Sequence, residues 1–164
     1  MNRRAQTNLL LYQARLMLDQ AQQAVLPAAV EACEEAAAVF MHRALRAVLA
    51  EAAEAYGQSL TADRPVHELL RQLGEQRPDA WEVRTLKDAL SQPEHWLAQL
   101  HQISEHWSGR VGQAAARPTA STERIELVAE GNDGANSNTT NHYRIWLADL
   151  QQWVDRIREL GDFH

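Results

Sequence analysis

The sequence predicts an all-α fold, a single up-and-down type bundle of five or six helices over residues 1–164, with a long polar loop at 108–141 before the last helix. Three observations predict it. Apolar residues recur at three- and four-residue steps through most of the chain, which keeps them on one side of a helix turning about 100° per residue. Pro27, Pro65, Pro78 and Pro93 fall between these periodic stretches rather than inside them. And the stretch Ala28 to Gly57, rich in Ala and free of Pro and Gly until its end, has the length of a central helix that its neighbours surround.

The first helix is expected from about Ala5 to Leu26, because Leu11, Ala14, Leu18, Ala21 and Val25 form a stripe that Leu10, Met17 and Ala24 widen. Pro27 then breaks or sharply bends the chain, since proline has no amide donor and disfavours helical geometry at Leu26. A tight reversal there gives an antiparallel pair, and the rival is one kinked rod. In the central helix Cys33, Ala37, Phe40, Ala44, Val48, Ala52 and Ala55 make one row, with Val30, Met41 and Leu45 beside it. Its many alanines allow close approach by other helices, toward the short end of the roughly 8–10 Å interaxial range. The remaining arc, Glu31, Glu34, Glu35, His42, Arg43 and Arg46, reads as solvated surface. Gly57 can take the left-handed conformation that ends the helix.

Thr61 to Pro65 has the order of a helix start, a side-chain cap followed by proline, and Val66, Leu69, Leu70 and Leu73 supply the apolar face of a short helix that Gly74 closes or nearly closes. A second short helix follows through Trp81, Val83, Leu86 and Leu90. A third begins after Pro93, with Trp96, Leu97, Leu100, Ile103 and Trp107 along one face. From Ser108 to Asn141 the composition turns to loop, with a short strand expected at Ile125, Leu127 and Ala129 and a polar run, GNDGANSNTTN, closing it. Tyr143, Trp146, Leu150, Trp153, Ile157 and Leu160 then form the seam of a strongly amphipathic last helix that Gly161 ends.

A formal net charge of −6 argues against general binding to phosphate backbones, which needs basic groups to displace counterions. One cysteine excludes an internal disulfide and suits a reducing compartment. Arg3 and Arg4 before Leu9 to Leu11 imitate the start of an export signal, but Gln13 and Arg15 interrupt the apolar run, and no run of about 18 apolar residues exists to span a membrane. The expectation is a cytoplasmic protein without a membrane segment.

The most site-like feature is the repeated tripeptide Glu94-His95-Trp96 and Glu105-His106-Trp107, with His101 between. His95 and His106 share a helix face about 16 Å apart, too far for one metal ion, which needs ligands at i, i+3 or i, i+4. Both tryptophans are expected in the core with the histidines at its boundary. Cys33 is followed by Glu34 and Glu35, which disfavour a thiolate, so it is expected to be a buried packing residue. Phosphate-binding, nucleophile-elbow, zincin and dinucleotide motifs are absent, and Asn132-Asp133-Gly134 lacks the further acidic ligands of a calcium loop. No residue is assigned a catalytic, cofactor-binding or metal-binding role, and no cofactor is called for.

The segments AAAVFMHRALRAVLAEAAEAYG and RPVHELLRQLG resemble the paired central helices of HEPN-type bundles, with His67 and Leu69-Leu70 at the start of the following helix. That resemblance implies nucleotide or RNA metabolism. Catalytic members carry Arg, four to six residues, then His, and Arg158 to His164 is the one match in this chain. The start TNLLLYQARLMLD, the Ala-rich second helix and the Trp-containing last helix together resemble a small family of uncharacterised bacterial helical proteins, which implies a fold and no chemistry. The expected function is a noncatalytic bundle acting through a protein partner or as a homodimer, the alternative a HEPN-like protein that binds or processes nucleotides or RNA.

Overall fold

The computed structural model describes residues 2–110 and 133–162. Within them the chain forms six helices: α1 (Arg3–Gln23), α2 (Pro27–Ala55), α3 (Val66–Gln76), α4 (Trp81–Ser91), α5 (Trp96–Arg110) and α6 (Asp133–Gly161). The fold is all-α, and no strand occurs among the described residues. The strand expected at Ile125, Leu127 and Ala129 lies outside them, as does His164.

The break at Pro27 is a reversal, not a kink. Leu26 is extended and Pro27 opens α2, where the amide it lacks would have had no partner in any case. Arg3 at the start of α1 pairs with Glu54 at the end of α2 at 2.8 Å, so the two helices run antiparallel. α1 stops at Gln23, earlier than its periodicity suggested, because Val25 and Leu26 belong to the turn and stand exposed. At the other end of α2, Gly57 takes φ 76°; its own N–H and that of Gln58 close on the Glu54 and Ala53 carbonyls, the pairing of a Schellman cap.

α6 begins at Asp133, inside the polar run expected to be loop, so the last helix is longer than its aromatic seam. It runs parallel to α2, since Thr140 meets Glu34 and Arg158 meets Glu51, and antiparallel to α1, where Arg144 reaches Asp19. Leu147, Leu150, Trp153, Val154 and Ile157 deliver its buried face. On the remaining sides α2 meets α3 and α5, while α4 bridges those two. Gly74 lies just inside the end of α3, the second of its two expected placements, where an added Cβ would stand 3.4 Å from Val83 of α4. α2 is thus the central helix. Between Ala44 and Ala53 all its residues but Arg46 are buried.

Central position corrects the reading of the α2 polar arc. Glu34 and His42 are buried, since helices α6 and α5 cover the sides of α2 that carry them. Cys33 is only half-buried. Trp96 packs against the core, half-buried, and Trp107 is likewise half-covered.

Candidate functional site

Burying a polar group without a partner costs free energy, so each buried polar side chain must be accounted for. Two clusters against α2 concentrate them.

The first lies at the C-terminal end of α2. Glu51 accepts a fork from Arg158 of α6, Nε at 2.7 Å to one carboxylate oxygen and Nη2 at 3.1 Å to the other. Thr7 of α1 donates its hydroxyl to Glu51 at 3.1 Å, and Arg4 stands 3.5 Å from it. Arg158 also donates to Asn8 Oδ1 at 3.0 Å. A cleft of about 260 Å³ opens beside these groups, lined by Arg3, Arg4, Glu51, Tyr56, Ile157 and Arg158 among others. Its charged side chains are engaged with one another, which makes this cluster a tie between three helices. Arg158, the residue that the HEPN resemblance would place at a phosphate, is held by that tie.

The second cluster lies midway along α2, under α5. His42 Nδ1 and the Ser104 hydroxyl are 2.8 Å apart, and His42 Nε2 and His101 Nδ1 are 3.1 Å apart. The rings stand 5.3 Å centre to centre. Ser104, His101 and Glu105 share one face of α5, because three and four residues bring side chains to the same side. Burial above all, then the nearby His101 and Arg46, push the His42 imidazole down to about 3, so it is neutral around neutral pH. Two hydrogen-bond patterns fit this neutral ring: Nδ1–H donates to Ser104 and Nε2 accepts from His101, or both directions reverse. One ligand atom each from His42, His101 and Glu105 lie within 4.8 Å of one another. Burial grades outward across the set, from buried His42 through half-buried His101 to exposed Glu105. Arg46, one turn along α2 from His42, sits near Glu105 and Asp63 and donates to the Asp63 carbonyl at 3.4 Å.

The repeated Glu-His-Trp tripeptides therefore mislead in one respect. His106 is exposed and His95 caps its own helix start, with Nδ1 3.2 Å from the Leu97 amide, so the outer histidines do not converge. The useful pair is His101 and Glu105, at the i, i+4 spacing of metal ligands on a helix, with the third member supplied from α2. That spacing was visible in the sequence. His42 was not, because nothing local pairs the middle of α2 with α5.

Elsewhere, Thr140 donates to Glu34, whose carboxyl burial pushes up against that hydrogen bond. Tyr56 is pushed up to about 12 by burial and by its hydrogen bond to Glu82. His67, at the start of α3, is exposed, while Leu69 and Leu70 are buried.

No helix among the described residues is long and apolar enough to cross a membrane. A family model described as a family of unknown function (DUF6586) matches residues 1–164. No curated protein and no solved structure matches the chain.

Proposed function

We propose that this chain, which belongs to the DUF6586 family of unknown function, is a noncatalytic helical-bundle protein that acts through protein contact, in the first place with a second copy of itself. One observation carries the reading. Of the six exposed large apolar residues among the described ones, five lie on α1 and its turn: Leu9, Tyr12, Leu16, Val25 and Leu26. Leu9, Tyr12 and Leu16 are 44, 55 and 38% exposed and follow three- and four-residue steps, so they form one stripe. The exposed seam that contains them, Ala5, Leu9, Tyr12, Leu16, Gln20 and Gln23, carries no charge.

An uncharged seam suits its own copy. A two-fold axis beside Tyr12 brings Leu9 of one protomer onto the partner's Leu16, and the reverse, with the two tyrosines at the axis. No like charges are opposed along the seam, and apolar area leaves water on both sides at once, at about 25 cal/mol per Å². The noncatalytic half of the reading is supported by the Glu51 cluster, where the arginine named by the HEPN resemblance is already engaged. Sedimentation equilibrium tests the proposal: the protein is expected to be a dimer, and Leu9→Glu with Leu16→Glu to leave a folded monomer. A strict monomer at every concentration overturns self-association. A dimer indifferent to both substitutions moves the interface away from α1.

A further inference from the structure

We propose that His42, His101 and Glu105 form a binding site for a divalent transition metal ion of the zinc class, with Ser104 as the residue that orients His42. The site goes beyond the docking role and does not depend on it.

Donor chemistry selects the class of ion. Two imidazole nitrogens and one carboxylate oxygen suit zinc and its neighbours, whereas calcium and magnesium take oxygen-only sets. Geometry fits as well. Two nitrogens each about 2.0–2.1 Å from a tetrahedral ion stand roughly 3.3 Å apart. His42 Nε2 and His101 Nδ1 are 3.1 Å apart, close to that spacing, and the hydrogen bond between them would give way to the ion. The carboxylate has further to come, from within 4.8 Å, and Glu105 is exposed and free to swing.

Ser104 gives the arrangement direction. A ligating nitrogen must present its lone pair, so His42 carries its proton on Nδ1 when Nε2 binds the ion. Ser104 Oγ, 2.8 Å from Nδ1, accepts that proton's hydrogen bond and fixes the tautomer, the part an outer-shell partner plays at metal-bound histidines. His42 is buried and cannot turn to another use. Three protein ligands leave a fourth tetrahedral position on the solvent side, beside Glu105, for water or another small ligand. Arg46 brings positive charge to this rim, and Glu105 and Asp63 offset it. Ligands from α2 and α5 make the ion a cross-brace between the central helix and the helix that covers it.

The test uses the full chain, stripped with a chelator and titrated with Zn²⁺ by calorimetry and with Co²⁺ by visible absorption. Saturable binding of one ion per chain is expected, with the absorption of a tetrahedral nitrogen and oxygen site and no thiolate band. His101→Gln and Glu105→Gln are expected to weaken binding by more than tenfold, and Ser104→Ala by about tenfold. Circular dichroism establishes that each variant is folded, and Glu105→Gln, altering an exposed side chain, keeps the test intact should His101→Gln fail to fold. His95→Gln and His106→Gln are expected to bind as the parent does. Absence of saturable binding overturns the site. So does binding that survives Glu105→Gln and His101→Gln but falls in His106→Gln, which would place the ion on exposed histidines.

Discussion

Two polar clusters lie buried against the same helix, nine residues apart along α2, and they differ in what is left over. At Glu51 both carboxylate oxygens are taken, by the fork of Arg158 and by Thr7, with Arg4 close behind. At His42 the contacts are with a hydroxyl and a second imidazole, and the neighbouring carboxylate of Glu105 is exposed. A buried polar group whose lone pairs are all used specifies which helices meet. One that shares a hydrogen bond between two potential ligands retains the capacity to hold something else. Glu51 and His42 each have partners for their buried polar atoms, but only His42 can exchange a partner for an ion without stranding a charge.

Breaking the closed cluster should cost most. Glu51→Ala leaves the Arg158 guanidinium, 16% exposed, without its carboxylate and the Thr7 hydroxyl with only the Arg3 carbonyl, 3.2 Å away, to donate to. The expected loss is about 3–5 kcal/mol, that of a buried pair deprived of one member, read as a lower denaturant midpoint. A loss below about 1 kcal/mol would make this pair no stronger than one on the surface.

Acid should act on the other cluster. With His42 held at about 3 in the folded chain against an ordinary 6.5, the unfolded chain binds the extra proton first as pH falls. His42 therefore contributes stability that is fully present above pH 6.5 and is lost as pH falls from there toward 3. For the metal-free protein the loss from this group reaches about 2–3 kcal/mol by about pH 4.5. The groups facing it are His101, Ser104 and Glu105 from α5 and Arg46 from α2, so the comparison is made against His42→Gln. That variant should show a shallower acid limb. Equal limbs would mean the folded protein accepts the proton at His42 as readily as the unfolded chain does.

The same contrast explains what the sequence could tell. Helix faces are local, and Leu69, Leu70 and Leu73, or Leu150, Trp153 and Ile157, announce their burial through spacing alone. Partners from distant segments are not local. Glu34 and His42 look like solvent-facing residues because their own helix offers polar neighbours, and their burial depends on Thr140 and Ser104 arriving from helices 106 and 62 residues away. Polar composition up to Asn141 suggested loop on weak intrinsic preference, yet α6 already runs through Thr140, which is buried and hydrogen-bonded to Glu34 of α2. In the sequence the repeated tripeptides point to His95 and His106 and pass over His101 and Glu105, whose ligand spacing becomes a site only when the fold supplies the third ligand.

A smaller loss should come from Thr140→Val, which removes the hydroxyl donor from buried Glu34 and retains shape. About 1–2 kcal/mol is expected at neutral pH, because an ionised carboxylate loses a hydrogen bond where water reaches it poorly. The deficit should shrink in mild acid, since burial already favours the protonated form of Glu34. A deficit independent of pH would assign the loss to packing of α6 instead.

The smallest effect sharpens the comparison most. Glu105→Gln, in chelator, should change stability by no more than about 0.5 kcal/mol, because the side chain is exposed and completes no buried network. In Zn²⁺ at about 100 times the dissociation constant the parent should gain about 2.7 kcal/mol. A variant binding tenfold more weakly should gain only about half that at the same concentration. The signature is a residue silent in the metal-free fold and audible in the metal-bound one, the opposite of Glu51, whose loss should cost the same in chelator and in zinc. If Glu105→Gln destabilises the metal-free chain instead, its charge is committed to Arg46, and the histidine cluster is a second closed tie.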